Sequence, residues 1–545
     1  MKKLILSLIT IATISLNSFG QDPTFEWVNK LDGSSSNSAV AVSNDNSGNV
    51  YTTGWFNGTV DFDPGVAVFN LTSYGGNDIY ITKYDPNGNF IWAIQMGGTG
   101  NEDAKAIAID NAGNVYITGG FYNMVDFDPG VSTLNMTPVG SGDVFVCKYD
   151  SSGNIMWAKQ LGGSSLEKGI SIDTDAGGNV IIGGEFNATC DFDPGVGISN
   201  MTSFGGSDIF IAKLDGSGNF IWSKQIGGTI NDFNGFINID NLDNVLVTGD
   251  FYNTTDLDPS GAIYNITSLG SSDVFIAKLN SAGVFVWGKQ IGGAQIDAVR
   301  DITTDANNDI YLTGFFSGTS DFDPGMATSN LTSQWGYDQY VLKLDDLGSL
   351  SWVSQLGNMN NAEISGYAID VDASGNVYTT GQFSGTVDLD PGVGSVTYTS
   401  TSANMMGGGD LFVSKLDNAG IFIGANHMSG TDDGRGLDLS IFSGDIYVVG
   451  DFYGTLDFDP GAGVSNLTTI PQTGFIEKLS SLTCTNTTSS IFIDACDIYT
   501  SPSGVIYNTT GIYTDIIPNV GGCDSTITIA LTMGNSNTGT DIQTA

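Results

Sequence analysis

A pentapeptide, Asp-Phe-Asp-Pro-Gly, recurs along the chain at 61–65, 126–130, 191–195 and 321–325, with close variants at 256–260, 388–392 and 457–461. Successive copies begin 65 residues apart four times, then 67 and 69 apart. Seven tandem copies of such a unit restrict the fold to a stacked or radial repeat, because one unit cannot bury its own apolar face.

Residues 105–163 illustrate the unit. The run Ala106-Ile107-Ala108-Ile109 is followed by an Asn/Gly turn at 111–114 and then by Val115-Tyr116-Ile117-Thr118. β-Rich runs bounded by Asp, Asn and Gly are a hairpin signal. Beyond the pentapeptide come a run from Asp143 to Tyr149, a turn at 150–153, and a run through Trp157 to Leu161. The unit therefore has four main strands, A to D, with the pentapeptide in an insert between B and C. Four antiparallel strands repeated radially predict an all-β, seven-bladed β-propeller.

Two columns refine this prediction. Trp27, Trp92, Trp157, Trp222, Trp287 and Trp352 recur on strand D, with Gly424 in the remaining place; they are expected to pack between blades, each indole N–H needing an acceptor. The last strand C, at 474–479, has no strand D after it, whereas residues 25–31 match one. The N-terminal strand is therefore expected to pair with 474–479 and close the ring, which hides two sheet edges.

The Gly-Asn-Val-Tyr-x-Thr-Gly strand at 113–119, the pentapeptide insert and the Asp-Ile-Phe-Ile-x-Lys-Leu-Asp strand at 208–215 together resemble the SBBP β-propeller repeat of secreted bacterial proteins. The resemblance covers about residues 25–479. It implies the fold and an extracellular address, and brings no enzymatic activity with it.

The flanks agree with that address. Residues 1–20 read as a signal peptide: Lys2 and Lys3, an apolar run over 4–16, then Ser18 and Gly20 ahead of a cut before Gln21. The apolar run is too short to span a bilayer. The expected organisation is a propeller over 21–480, a small β module over 481–533 and a polar tail over 534–545. The module is similar to cysteine-containing modules that follow adhesive domains in secreted Bacteroidetes proteins. Cys496 and Cys523 are expected to form a disulfide, leaving Cys484 over, while Cys147 and Cys190 stand in core columns.

The chain has 59 acidic and 17 basic residues, a net charge of −42, which disfavours nucleic acid and anionic membrane as partners. With 40% hydrophobic and 11% aromatic residues it is not a disordered chain.

Four sets of polar residues are candidates for chemistry. The paired pentapeptide carboxylates, Asp61 and Asp63, Asp126 and Asp128, Asp191 and Asp193, Asp256 and Asp258, Asp321 and Asp323, Asp388 and Asp390, Asp457 and Asp459, stand at i and i+2. In an extended segment each pair shares a face and could supply part of an oxygen shell for Ca²⁺; the competing reading is turn chemistry, with the first Asp paired to a strand C lysine. Lysines at 83, 148, 213, 278, 343, 415 and 478 predict one ion pair per blade. A second acidic column, Glu102, Glu167, Asp232, Asp297, Glu363 and Asp433, precedes strand A. It is expected at a channel mouth as a carboxylate ring for a cation or basic ligand, against local capping and ion pairs. His427 replaces the glutamine of its column and, as the single histidine, forms neither a triad nor a His-rich metal site.

Glu185, Arg300 and Arg435 depart from the repeat but form no recognisable catalytic set. The sequence thus reads as a secreted, monomeric, non-catalytic binding or adhesion propeller, stabilised by Ca²⁺ and directed to an extracellular glycan or protein. The alternatives are a purely structural surface component and a glycan-directed hydrolase.

Overall fold

The computed structural model describes residues 23–357, 359, 361–402, 409–461, 463–480, 488–495, 499–501, 505–518 and 524–533. The signal peptide and Cys484, Cys496 and Cys523 lie outside them. The chain divides into two compact units, one spanning Pro23–Ser481 and one containing the described residues after Leu482. Both are all-β, and the described residues contain no helix.

Within Pro23–Ser481, seven antiparallel sheets follow one another, each with its strands in the order A-B-C-D. In the first, A is Asn37–Asn44, B Val50–Phe56, C Asp78–Tyr84 and D Phe90–Gly98. The remaining A strands are Asp103–Ile109, Glu167–Thr174, Asp232–Ile239, Asp297–Thr304, Glu363–Val371 and Gly434–Phe442. Each packs against the next, and the seventh packs against the first.

The A–B turns explain why Asp and Gly recur there. Asp45 Oδ1 accepts the Ser47 and Asn49 amides at 2.9 and 3.0 Å, while Gly48 sits at φ 78°, where glycine is favoured. The same hydrogen-bond pattern recurs at Asp110, Asp175, Asp240, Asp305 and Asp372.

Three kinds of bond link successive sheets. The first is made by the insert, whose opening residues pair with the end of strand D in the preceding sheet: Asp126 with Gly97, Asp191 with Gly162, Asp256 with Gly227 and Asp321 with Gly292. In the first four sheets strand D ends in two glycines because nothing larger fits there; a Cβ on Gly97 would lie 2.1 Å from Asp78 Cγ, and one on Gly98 2.1 Å from the Met124 carbonyl oxygen. The second joins C–D turns to the preceding sheet. Lys83 and Trp92 both donate to the Ser151 carbonyl, Lys148 and Trp157 to that of Gly216, and Lys213 and Trp222 to that of Ser281. The indoles thus find the acceptors that their burial between sheets demanded, Trp287 excepted. The third joins neighbouring A strands through aspartates: Asp173, Asp301, Asp370 and Asp438 accept the amides of Ile239, Ile369, Ile441 and Val42 at 2.8–2.9 Å.

Strand Thr24–Lys30 pairs antiparallel with Asn466–Ser480, from Thr24 opposite Ser480 to Lys30 opposite Phe475, as the missing strand D predicted. Trp27 and Lys478, on that pair, both donate to Pro86 O in the first sheet. The core lies between sheets. Phe62 of the pentapeptide is buried against Phe56 and Tyr80, with ring centroids 5.4 and 4.9 Å away.

In the second unit, Asp524–Met533 is flanked by a parallel strand, Thr488–Ala495, and an antiparallel one, Gly511–Pro518. Ile527, Ile529 and Leu531 form its small core, and Tyr507 stacks on Tyr513 at 4.0 Å.

Deleting residues 25–31 exposes one edge of Asn466–Ser480, and an exposed long edge templates association. The deleted chain is expected to elute as oligomers or aggregate in size-exclusion chromatography; a monomer melting at the parent temperature would show that this pairing is dispensable.

Candidate functional site

A cavity of about 320 Å³ is lined by residues of all seven A strands, among them Ala106, Ser171, Phe236, Asp301, Tyr367 and Asp438. At its insert end the repeat stops being regular. Strand B reads Gly-x-Phe in every sheet, with Gly at 54, 119, 184, 249, 314, 381 and 450 and a buried Phe two residues on. The residue between them pairs across the sheet with strand A, and the seven pairs all differ. They are Ser38 with Trp55, Asp103 with Gly120, Lys168 with Glu185, Phe233 with Asp250, Ala298 with Phe315, Ser365 with Gln382 and Arg435 with Asp451.

The regular framework holds these variable side chains firmly. Arg435 donates from Nε and Nη2 to the two oxygens of Asp451, both at 2.9 Å, and Asp451 Oδ2 also accepts from Ser38 Oγ at 2.7 Å. Asp250 accepts the Val299 amide at 2.8 Å and Asn234 Nδ2 at 2.9 Å, with Arg300 Nη1 3.6 Å away. Burial pushes Asp250 up to about 7 against the opposing pull of Arg300. The Arg300 guanidinium also stands 4.8 Å from the Phe315 ring centroid. Glu185 accepts the Asn234 amide at 2.7 Å, and burial raises its pKa. Glu185, Arg300 and Arg435, the departures visible in the sequence, therefore belong to one end of the molecule. The x of Gly-x-Phe was the signal that marked the rest.

The pentapeptide carboxylates lie elsewhere, in the inserts. Asp61 Oδ1 accepts the amides of Asp63 and Phe69 at 3.1 and 2.8 Å, and Asp63 Oδ1 accepts that of Gly65 at 2.8 Å. All seven copies repeat this arrangement, from Asp126 and Asp128 to Asp457 and Asp459. Among the described residues no three His, Cys, Asp or Glu side chains come together as a metal-holding group.

Three placements differ from the sequence reading. The strand C lysines pair with the A–B turn aspartates and not with the pentapeptide: Lys213 with Asp175 at 2.7 Å and Lys278 with Asp240 at 2.8 Å. Secondly, Glu102, Glu167, Asp232 and Asp297 are buried instead of rimming an open mouth. Each accepts an amide from the end of the preceding strand D, those of Gly98, Gly163, Gly228 and Gly293. Thirdly, Glu363 and Asp433 fall one residue outside this column, because Ile364 and Gly434 stand opposite the strand B phenylalanines there. The small insertions before these two strands shifted the alignment. His427 behaves as its column predicted, its Nε2 lying 2.7 Å from Asp410 where Gln160 Nε2 meets Asp143 at 2.5 Å. Cys147 and Cys190 are buried free thiols.

The SBBP beta-propeller repeat family model matches residues 91–119. An uncharacterized WD repeat-containing protein of Acanthamoeba polyphaga mimivirus is 31% identical over 38% of this chain and 17% of its own length. The regulatory protein FlaEY of Caulobacter vibrioides is 24% identical over 74% of this chain and 42% of its own. The chain thus spans less than half the length of these relatives. Among solved structures, the polysaccharide lyase Uly1 aligns over 84% of this chain and 99% of its own, with 10% identity and a TM-score of 0.39. A DUF4221 family member from Bacteroides vulgatus aligns over 66% and 92%, with 10% identity and a TM-score of 0.28.

The buried carboxylates make stability depend on pH. Burial, reinforced by Asp78, Asp143, Asp208 and Asp273 respectively, lifts Glu102, Glu167, Asp232 and Asp297 to about 7; Asp78 and Asp208 themselves rise to about 6. Below about pH 4 folded and unfolded chains both hold these protons, whereas from there to about 7 only the folded chain does. The folded state therefore loses stability as pH rises through that window. The melting midpoint of the full chain is expected to be lower at pH 8 than at pH 5. Glu102→Gln should raise the midpoint at pH 8 and leave it nearly unchanged at pH 5; a flat profile, or an equal effect at both pH values, contradicts the assignment.

Proposed function

We propose that Pro23–Ser481 is a seven-bladed β-propeller closed by its N-terminal strand, and that it acts outside the cytoplasm as a non-catalytic binding protein through the variable end of its central cavity. One observation carries this reading: seven different cross-strand pairs occupy one column, at one rim, of a framework whose strands otherwise repeat closely. A scaffold whose strands repeat and whose rim side chains differ in every sheet suits recognition of an asymmetric ligand. Support for closure comes from the Thr24–Lys30 pairing, from the Asp438 bond to Val42, and from the shared donation of Lys478 and Trp27 to Pro86. The extracellular address rests on the pattern of residues 1–20.

The test is binding of the full chain to arrays of extracellular glycans and proteins. Trp55→Ala is expected to weaken a positive signal at least tenfold while preserving the melting profile, and Arg435→Ala to weaken it as much while lowering the melting midpoint, because it leaves the buried Asp451 carboxylate without its bidentate partner. Binding that survives both changes places recognition elsewhere. Turnover of a polysaccharide, abolished by Glu185→Gln, would establish the hydrolase reading instead, and silence in both assays would leave a structural component.

Stabilisation by Ca²⁺ is a second reading, motivated by the net charge of −42 and by seven carboxylate pairs whose Oδ1 atoms alone are committed to the local turn. Two carboxylates supply only part of a shell of six to eight oxygens, so carbonyls and water must complete it. A ligand at about a hundred times its Kd adds ~2.7 kcal/mol per site. Melts in excess EDTA and in millimolar Ca²⁺, with Mg²⁺ as control, are expected to show a Ca²⁺-specific rise; identical midpoints remove the metal and leave the pentapeptide as turn and inter-sheet link.

A further inference from the structure

Resting on the binding reading above, we infer that the seventh sheet carries a subsite for a neutral saccharide, formed by Arg435, Asp451, Tyr453 and Gln472. These residues line a pocket of about 300 Å³ together with Asp433 and Phe452, at the small end of the range for ligand pockets. Tyr453 is 42% exposed, whereas Phe452 beside it is buried in the core against Phe458 and Phe475, so the pocket offers one exposed aromatic residue and no deep apolar slot.

The polar groups are paired in a way that defines the ligand. Arg435 spends Nε and Nη2 on Asp451, and among the described residues its Nη1 makes no hydrogen bond. One planar donor is thus left facing the pocket, held in place by the buried Asp451, whose two oxygens are taken by Arg435 and Ser38, while Asp433 Oδ1 accepts from Ser402 Oγ at 2.9 Å. The Gln472 amide adds a donor and an acceptor to the same lining.

Charge decides against an anion. One guanidinium faces two carboxylates, Asp433 and Asp451, in a protein of net charge −42, so the pocket has no positive surplus to draw a carboxylate or sulfate. A basic ligand would meet Arg435 at the centre. A peptide needs an apolar anchor pocket or a free strand edge, and neither lines this space. A sugar ring meets all the conditions, since one face of C–H groups can lie on Tyr453 while its hydroxyls, each both donor and acceptor, take the Arg435 Nη1 donor and pair with the Gln472 amide. The corresponding position in the fourth sheet places Phe233 and Tyr252 6.1 Å apart, an apolar counterpart across the same end of the molecule.

The experiment is native affinity electrophoresis of the full chain through gels containing laminarin, mannan or xylan, with polygalacturonate as the acidic comparison. Retardation in at least one neutral gel is expected to persist in 0.5 M NaCl and to weaken tenfold or more in Tyr453→Ala and in Arg435→Ala. Tyr453→Phe should retain it, because the ring face and not the hydroxyl makes the contact. Tyr453 is exposed, so its substitution tests the site even if Arg435→Ala unfolds. Three results overturn the saccharide: no retardation in any neutral gel, salt-sensitive retardation by polygalacturonate alone, or retardation indifferent to Tyr453→Ala. Protein ligands captured by the parent chain and lost in the same variants would overturn the saccharide class while leaving binding at this rim intact.

Discussion

The architecture depends on a backbone pairing only two residues long. In the second to fifth inserts the opening Asp lies against the terminal glycines of the preceding strand D, so that a segment belonging to one sheet completes the edge of another; the first pairs Asp61 with Asp32 in the same way, and the sixth and seventh keep a single bridge, Gly357 to Asp388 and Gly430 to Leu456. The pentapeptide follows from that task. Its first Asp holds the reversing chain through Oδ1, Phe fills the space between sheets, and Asp-Pro-Gly turns the chain back toward the second insert strand. Successive sheets would otherwise meet mainly through side chains, which tolerate sliding better than hydrogen-bonded backbone.

Away from the inserts, the strand C lysine shows how the sheets adapt to local substitutions. In five sheets strand B places a tyrosine below it, and four of these tyrosines, Tyr51, Tyr116, Tyr311 and Tyr378, donate to the turn aspartate. Where the tyrosine occupies that carboxylate the lysine stands back, 3.6 Å from Asp45 and 3.8 Å from Asp110, with its charge 4.7 and 4.8 Å from the ring centroids. Where Ile181 and Leu246 replace tyrosine, Lys213 and Lys278 close to 2.7 and 2.8 Å. The phenol and the ammonium compete for one oxygen, and each sheet settles the competition with the residues it has. A buried ion pair of this type fixes geometry more surely than it adds stability.

Much of this was legible in the sequence because periodicity carries it. The four strands, the tryptophan column, the N-terminal strand's partner and the structural role of His427 follow from residues recurring at fixed spacing. The misreadings came where spacing slips or where a side chain has two candidate partners that recur with the same period. Counting forward from Asp297 across insertions led to Glu363, but hydrogen-bond register selects Ile364. The lysine column announced a carboxylate partner without saying which of two repeating aspartates it would be, since both recur with the same period. The variable rim was hidden for the opposite reason. Trp55, Gly120, Glu185 and Asp250 share no residue type, and their kinship appears only when they are lined up between an unvarying glycine and phenylalanine.

The pairing of Thr24–Lys30 with Asn466–Ser480 also imposes an order in time. The first of these strands to leave the ribosome must wait for one made more than four hundred residues later, roughly 20 to 90 seconds at ordinary synthesis rates. Throughout that interval the Thr24–Lys30 backbone has no strand to pair with and Val28 lacks the late core it packs on, while six sheets can already form behind them. A chain built in this way cannot complete its native contacts until residue 480 has been made, and its opening residues are the ones that most need protection until then.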